Sequence, residues 1–400
     1  MNTTTGNARL NPRARRAILL ILAAVLVTAG TGVIYLKASL LSHPPPAKAV
    51  DPAVLSSDYA AAYFFSTPSL GWALVTETTS GARGFSLFKT TDAARHWKRQ
   101  LVKQPNQVGS GPLMIQFFDP SQGVIAVGEP AEIYRTSDGG THWALVKTPA
   151  FEFSSFVPVD AAHGWLLGLS GPPDQAVPNL FVTSDGGDTW TALPEALAWA
   201  NGSLLFRNAN FSFRSAREGW LGANAAEPIV YSSVDGGASW QPHALPNNVA
   251  SDLCTGGNPL PPGQQGHWST SVSLLPGHGV VTISSDYCGH AHAYMSLDGG
   301  VAWRSLAPAP GTTSWRTYAY QDSSHWWAMG AGDLWKSSDA GSSWKLVSQQ
   351  LDGWEGYIPH VIDANHAWAE LFSSAQAAAG LALTSDGGLH WSQVSTPKPG

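Results

Sequence analysis

One eight-residue phrase recurs seven times along the chain and constrains its fold more than any other feature. Each copy starts with Ser or Thr, has an Asp two residues later and, in most copies, a Gly two residues after that, and ends with a Trp five residues after the Asp. Successive Asp residues are 41 to 63 residues apart. The seven positions are Asp92, Asp138, Asp185, Asp235, Asp298, Asp339 and Asp386.

The residue types in this phrase favour a tight hairpin turn. Short strand-like runs flank the copies, such as residues 179–182 before the third one. Glycine takes the positive φ that hairpin turns need, and an Asp carboxylate accepts backbone N–H bonds inside its own turn. The Trp then buries a large ring beneath the turn. We therefore assign the seven Asp residues a structural role, since nothing in the phrase requires catalysis.

A second phrase, Gly-Trp or its equivalent between two apolar runs, recurs between the copies. Its positions are Gly71-Trp72, Gly123-Val124, Gly164-Trp165, Gly219-Trp220, Gly279-Val280, Trp326-Trp327 and Ala367-Trp368. The two phrases give four short strands per repeat, and a period of about 40–50 residues with four strands is typical of a propeller blade. The sequence therefore predicts an all-β fold, a seven-bladed β-propeller of four-stranded blades over residues 56–400.

The order of the phrases predicts how the strands of this propeller connect. With the strands of each blade lettered A to D from the centre outward, the Asp phrases are the C–D turns. The first strand of repeat 1 and the last strand of repeat 7 are both present in the sequence. We therefore expect blades 7 and 1 to close the ring by face-to-face packing, without a strand exchanged between the termini.

The Asp phrase resembles the Asp box of BNR-repeat, sialidase-type β-propellers. It is also similar to the boxes of sortilin-like receptors, xyloglucanases and photosystem II stability/assembly factor-like propellers. Sialidases use three Arg, a Tyr and Glu nucleophile pair and an Asp acid/base, begin with an Arg-Ile-Pro type motif, and have six blades. Residues 51–400 contain no Arg-Ile-Pro, and the chain has seven boxes. Its pattern is closest to the assembly-factor-like propellers, and this resemblance implies non-enzymatic protein binding.

The N-terminus has the features of a membrane signal anchor. Residues 17–36 are an uncharged, mostly apolar run of 20 residues, long enough to cross a bilayer as a helix. Four Arg precede it and two Lys follow it, which favours a cytoplasmic N-terminus. We expect a cytoplasmic tail over 1–16, a single-pass helix over 17–37, a Pro-rich linker over 38–55, and an extracytoplasmic propeller. The rival interpretation is a cleaved signal peptide with Ala47-Lys-Ala49 as the cleavage site, which would make the protein secreted.

The charge of the chain argues against nucleic acid as a partner. Residues 51–400 contain 16 basic and 28 acidic side chains, a formal charge of −12. A surface of this sign repels a phosphate backbone. The partners that we predict are instead the membrane, through the N-terminal helix, and an envelope protein or glycan.

The two cysteines, Cys254 and Cys288, lie in the longest repeat. Outside the cytoplasm such a pair is typical of a disulfide. Closing this loop would stabilise the fold by roughly 3–4 kcal/mol on the chain-entropy model. Residues 288–292 (CGHAH) could also form a metal cluster with Cys254, but neither a second C-x-x-C nor a carboxylate at ligand spacing accompanies them. We therefore predict a disulfide, no metal site and no cofactor.

Loop lengths predict which face of the propeller binds a ligand. In a four-stranded blade the A–B and C–D turns lie on one face, and the B–C and D–A connections lie on the other. The A–B turns and the boxes are short and uniform, whereas the B–C and D–A segments vary widely in length. Insertions concentrated on one face mark a binding face. We therefore expect the ligand on the B–C and D–A side and interpret the box side as scaffold.

Aromatic and charged residues on or beside these loops are the candidate site residues. Flat Trp rings pair with sugars or peptides, although the same rings could pack the loops onto the blades. The ligand-binding candidates are Trp199, Arg207, Trp268, Trp315, Arg316 and Trp354. Two facing carboxylates would permit glycoside hydrolysis, and the catalytic candidates are Asp252, Asp352 and Glu355. Histidines that recur at A–B turns and before the box Trp residues are interpreted as scaffold because they are periodic.

These observations leave two functional hypotheses. The first is a membrane-anchored, non-catalytic propeller that binds a protein or glycan at the cell envelope. The second is a glycoside hydrolase, sialidase-like or polysaccharide-degrading, that acts on extracellular glycans through carboxylates on the same face. The separation of those carboxylates distinguishes the two, because hydrolysis requires a pair about 5–10 Å apart.

Overall fold

A computed structural model of the chain describes residues 60–397 with several gaps. The gaps are 80–81, 104–112, 128–131, 150–152, 171–176, 195, 198–209, 223, 226, 247–267, 286–290, 308, 311–316, 331, 350, 352–353, 355 and 374–377. No helix among the described residues is long and apolar enough to cross a membrane. The predicted transmembrane segment 17–37 and the linker 38–55 lie outside these residues.

The described strands form seven antiparallel sheets, each built mainly from consecutive strands. Blade 1 consists of β1 Ala60–Phe65, β2 Gly71–Thr79, β3 Ala82–Thr90 and β4 Lys98–Lys103. Blade 2 consists of β5 Leu113–Phe117, β6 Gly123–Val127, β7 Glu132–Thr136 and β8 Ala144–Val146. Blade 3 consists of β9 Phe153–Pro158, β10 Gly164–Ser170, β11 Val177–Thr183 and β12 Thr191–Ala192. Blade 4 consists of β13 Asn210–Phe213, β14 Gly219–Gly222, β16 Ile229–Ser233 and β17 Gln241–Ala244.

The other three blades follow the same order, and one of them gains a strand. Blade 5 contains β18 Trp268–Leu274, β19 Val280–Ser285, β20 Ala291–Ser296 and β21 Arg304–Leu306, with β15 Asn224–Ala225 added at its inner edge. Blade 6 contains β22 Thr317–Tyr320, β23 Trp326–Gly330, β24 Asp333–Ser337 and β25 Lys345–Ser348. Blade 7 contains β26 Gly356–Val361, β27 Ala367–Ser373, β28 Ala378–Thr384 and β29 Ser392–Val394. The predicted all-β, seven-bladed propeller is confirmed.

The core lies between blades, where aromatic rings from neighbouring sheets stack. Trp72, in strand B of blade 1, is fully buried, and its ring centroid lies 3.6 Å from that of Phe117 at the end of strand A in blade 2. Trp165 stacks on Phe213 in the same way at 3.6 Å. Such pairs bury large apolar areas and add about 0.5–1.5 kcal/mol beyond that burial. Where the second phrase contains this Trp, the ring therefore attaches its blade to the next one.

The Gly of the second phrase makes room for the Phe ring. Gly71 pairs with Phe65 across β1 and β2, and the Phe65 ring lies directly over the Gly71 Cα, where a Cβ would collide with it. The same relation holds for Gly219 and Phe213. Glycine is needed at this position because it has no side chain, rather than for its backbone freedom.

In blade 5 the second phrase is displaced by one residue from the position read in the sequence. In the other blades the residue opposite the first residue of the box is the first residue of the second phrase, as for Gly71 opposite Thr90 and Ala367 opposite Thr384. In blade 5 the residue opposite Ser296 is Val280, so Val281 takes the Trp position. The buried ring at this interface comes instead from Trp326 of blade 6, which packs with Val281.

The ring closes between blades 7 and 1 through side chains. Trp368 of blade 7 is fully buried and stacks on Phe65 of blade 1 at 3.7 Å with an interplanar angle of 5°. Trp97 Nε1 also donates to the Ser395 carbonyl at 2.8 Å. Within the described part of the chain, blade 7 is formed by β26–β29 alone. The ring therefore closes by face-to-face packing of blades 7 and 1, as expected from the sequence.

Candidate functional site

Hydrogen bonds between turns place the boxes and the A–B turns on one face. In blade 2, the Gly139 N–H of the box donates to the Ser121 carbonyl of the A–B turn at 2.7 Å. Equivalent bonds run from Ala93 to Ser69, Gly186 to Ala162, Gly236 to Arg217, Ala340 to Ser324 and Gly387 to Asn365. We call this side the box face. The opposite side, where the B–C and D–A connections lie, is called the loop face.

Each box folds around the side chains of its first and third residues. In box 3, Thr183 Oγ1 donates to Asp185 Oδ1 at 2.8 Å and accepts the Gly187 N–H at 2.8 Å. Asp185 Oδ1 also accepts the Thr189 N–H at 2.9 Å, and Oδ2 accepts the Thr189 hydroxyl at 2.6 Å. In other boxes His96, His142, Ser239, Ser343 and His390 occupy the position of Thr189. In these six boxes both carboxylate oxygens are therefore engaged within the turn, whereas box 5 has Ala302 at this position.

The same hydrogen bonds keep the box carboxylates ionised. Bonds from the Thr189 hydroxyl and N–H lower the pKa of Asp185 to about 2. The backbone and imidazole of His142 lower the pKa of Asp138 to about 2. A general acid for glycoside cleavage needs a raised pKa. These carboxylates therefore have the opposite shift from the one that acid catalysis needs.

Histidines of the A–B turns pair with the Asp of their own turn. His163 Nδ1 lies 3.0 Å from Asp160 Oδ2, and His325 Nδ1 lies 2.8 Å from Asp322 Oδ2. Each of these carboxylates also accepts backbone N–H bonds from its turn. In the portion of the chain that is described, no three His, Cys, Asp or Glu side chains come together as a metal site.

Most of the site residues predicted from the sequence fall outside the described residues. They are Trp199, Arg207, Trp315, Arg316, the carboxylates Asp252, Asp352 and Glu355, and the predicted disulfide pair Cys254 and Cys288. Their roles stay predictions.

The two loop Trp candidates that are described pack against the blades. Trp268 begins β18, is 8% exposed, and its ring lies 5.1 Å from that of His292. Trp354 is half-buried, and its ring lies over Gly380, where an added Cβ would be 3.1 Å from Trp354 Cη2. Both rings hold loop-face segments onto blades 5 and 7, so neither is fully available to a ligand.

Strand β15 distinguishes the loop face of blade 5 from that of the other blades. It belongs to the B–C connection of blade 4, yet Asn224 and Ala225 pair with Ser269 and Trp268 of β18, the inner strand of blade 5. Gly222, just before it, lies so close to the Thr270 carbonyl that a Cβ would collide. An extended segment from outside blade 5 therefore pairs with its inner edge. The sequence does not predict this strand, because its residues are not strong strand formers.

A half-buried acid–base pair in blade 7 was also not predicted from the sequence. His360 Nε2 lies 2.8 Å from Glu370 Oε1, with side chains 23% and 13% exposed. Glu370 lies two residues after Trp368, and the other blades have Leu74, Ala126, Leu167, Gly222, Ile283 and Met329 at that position. A repeat alignment would have revealed the acid as the one charged residue in this set. Its partner is an imidazole, whereas glycoside cleavage uses two carboxyl groups.

Seven blades, each built on four antiparallel strands with a box as its C–D turn, make this chain a seven-bladed β-propeller. No protein-family model matches the chain, and neither does any curated protein. At the level of the fold it is similar to YCF48 from Cyanidioschyzon merolae, with 16% identity, a TM-score of 0.52, and coverage of 81% of this chain and 94% of that one. The resemblance to assembly-factor propellers expected from the boxes is thereby confirmed.

Two further solved structures have a similar propeller. YCF48 bound to D1 peptide shares 17% identity at a TM-score of 0.51, with coverage of 85% of this chain and 99% of that one. An oligogalacturonate lyase in complex with manganese shares 10% identity at a TM-score of 0.52, with coverage of 82% and 96%. Because a peptide-bound protein and an enzyme both match at low identity, the similarity establishes the fold and leaves the activity open.

Proposed function

We propose that the propeller is a non-catalytic binding domain that holds an extended segment of an envelope polypeptide on its loop face. The observation that carries this proposal is the pairing of β15 with β18, which brings an extended segment to the inner edge of a blade. Edge pairing of this kind gives affinity through the main chain, and neighbouring side chains select the sequence. A solved propeller of similar fold was determined bound to a peptide, which supports binding of a polypeptide by this fold.

The carboxylates described near the loop face favour binding over catalysis. Glu132 Oε2 accepts the Tyr134 hydroxyl at 2.7 Å, and Asp333 Oδ1 accepts the Gln349 amide at 2.9 Å. Glu370 pairs with an imidazole. A hydrolase needs one carboxyl group as a proton donor and a second as base or nucleophile. The partners of these described carboxylates are a hydroxyl, an amide and an imidazole, whereas the second group of a hydrolase is a carboxyl group.

We further propose that residues 17–37 anchor the protein in the cell membrane. The uncharged run and the four preceding Arg support a cytoplasmic N-terminus. The Pro-rich linker 38–55 would then act as a semi-rigid spacer. The polypeptide that the loop face binds would accordingly be exposed on the extracytoplasmic side of the same membrane.

Site-specific photo-crosslinking of the full-length protein in its own membranes tests this proposal. Two apolar residues of similar exposure on opposite faces provide a matched pair: Val177, at the start of β11, is 49% exposed at the loop face, and Leu297, directly after β20, is 55% exposed on the box face of blade 5. We expect a crosslinker at Val177 to capture one defined envelope polypeptide and the same group at Leu297 to capture none. Capture from Leu297 alone would contradict the assignment of the face.

The same purified protein is then incubated with envelope polysaccharides, and reducing ends and unsaturated products are measured. No turnover is expected. Turnover that survives denaturing controls would overturn the non-catalytic proposal in favour of a glycan-degrading enzyme.

A further inference from the structure

Among the residues that the structure describes, the interface between blades 2 and 3 lacks the indole that fills the same level of the other six interfaces. Those six hold Trp72, Trp165, Trp220, Trp326, Trp327 and Trp368, each at most 2% exposed. At the 2/3 interface the corresponding residue of strand B is Val124, and Pro158 of blade 3 occupies the position of the stacking Phe. Phe156 covers Gly164 but comes from a different position of its strand.

An open cleft lies where this indole is missing. Its volume is about 460 Å³, and its lining includes Phe118, Val124, Arg135, Asp138, His142 and Ala161. This volume is within the range of about 300–1,000 Å³ that is typical of ligand sites. Because Ala161 and His142 are exposed, the cleft opens onto the box face.

A cation is already positioned beside this cleft. The residue just before the box is Lys89 in blade 1 and Lys336 in blade 6, and their Nζ atoms lie 5.1 Å and 3.9 Å from the ring centroids of Trp72 and Trp327. Arg135 takes this place in blade 2. A cation over an indole face is a stabilising arrangement. At the 2/3 interface the cation, Arg135, is present, and the described residues supply no indole ring for it.

A hydrogen-bond acceptor for the ring is also present. Trp72 Nε1 donates to the Gly139 carbonyl of the next box at 3.4 Å, and Trp165 Nε1 donates to the Gly236 carbonyl at 2.8 Å. The equivalent acceptor at the 2/3 interface is the Gly186 carbonyl, to which Arg135 donates at 3.2 Å. In blade 1 a lysine and the indole share one such carbonyl, so Gly186 has a lone pair for an incoming indole N–H.

We propose that this cleft binds an indole ring, presented as the tryptophan side chain of a partner polypeptide. The floor of Val124, the guanidinium of Arg135 and the carbonyl of Gly186 supply the apolar, cationic and hydrogen-bonding contacts that the chain gives to its own indoles elsewhere. The exposed rim leaves space for the backbone that carries the ring. The box face, interpreted above as scaffold, thereby gains a binding site that is separate from the loop face.

Binding of N-acetyl-tryptophanamide and of free indole to the full-length protein tests this site, with ligand-observed saturation-transfer NMR as the readout. Both probes are expected to bind, and N-acetyl-leucinamide is the negative probe. Val124→Trp, which restores the ring used by the other blades, should abolish binding of both probes. Arg135→Met should weaken it about two- to fivefold, since a partly exposed cation–π contact contributes about 0.5–1 kcal/mol. The matched control Lys89→Met, at an interface that already holds its Trp, should leave binding unchanged.

Each outcome decides the proposal. Ala161→Trp blocks the same opening from an exposed turn and replaces Val124→Trp as the test if that core variant fails to fold. Unchanged binding in the blocking variant, or no binding of either probe to the wild-type protein, would overturn the site. If free indole binds and N-acetyl-tryptophanamide does not, the proposal that the indole belongs to a tryptophan of a polypeptide is overturned.

Discussion

The seam between blades 7 and 1 provides the most direct test of how the ring is held together. The covalent chain does not run directly from one of these blades to the other, so their contact depends on side chains such as Trp368 and Phe65. Trp368→Ala removes a fully buried ring that stacks on Phe65 at 3.7 Å. We expect this substitution to open the seam without altering the strands within either blade.

The expected loss of stability follows from burial and stacking. Replacing a buried Trp or Phe by Ala costs about 3–5 kcal/mol, because transfer energy is lost and a cavity remains. For a chain of this length that corresponds to a fall in Tm of roughly 4–7 °C. A double-mutant cycle with Phe65→Ala should show a coupling of about 0.5–1.5 kcal/mol, which is the part due to the stacked pair itself.

Two measurements check this prediction. Chemical unfolding of the two single variants and the double variant measures the coupling, and hydrogen exchange shows where the structure opens. Trp72→Ala is the matched control, since its ring stacks on Phe117 at 3.6 Å across an interface that the chain also joins covalently. Exchange should rise in β1 and β28 for Trp368→Ala and should not do so for Trp72→Ala. A coupling near zero, or equal exchange in the two variants, would refute closure by this pair.

Three further changes test local features of the repeat. Gly71→Ala forces a Cβ into the Phe65 ring, and denaturant unfolding should show a loss of about 1–3 kcal/mol from overpacking. Thr183→Val removes the acceptor of the buried Gly187 N–H, which should cost about 1–3 kcal/mol in the same assay. The pKa of Asp185 is about 2 in the fold against 3.8 ordinarily, so its stabilisation is present above pH 3.8 and is lost as the pH falls toward 2. Asp185→Asn should therefore show a flatter decline in stability over that range.

The fold could be predicted from the sequence because its determinants are local and repeated. Each box contains the hydroxyl and the carboxylate that close its own turn, and six of the seven also contain glycine there, so the contacts of a box depend little on the other blades. The register of blade 5 could not be read in this way. Gly279-Val280 imitates the second phrase, and only the pairing of Val280 with Ser296 shows the displacement.

The candidate sites depend on contacts between blades, and this is why the sequence did not reveal them. Gly123-Val124 was interpreted as an ordinary equivalent of Gly-Trp. The missing ring becomes visible only when the facing residue, Pro158, and the cation, Arg135, are located in space. The loop-face candidates have no repeat to position them, because insertions differ from one blade to the next.

Building each blade from neighbouring strands has a consequence for how such a chain can change in length. Duplication or deletion of one whole repeat would leave no strand without its hydrogen-bonding partners, so blade number can vary in single steps. Strand β15 is the exception, because it is supplied by blade 4 and pairs in blade 5. A duplication or deletion that includes one of these two repeats would therefore have to include the other as well.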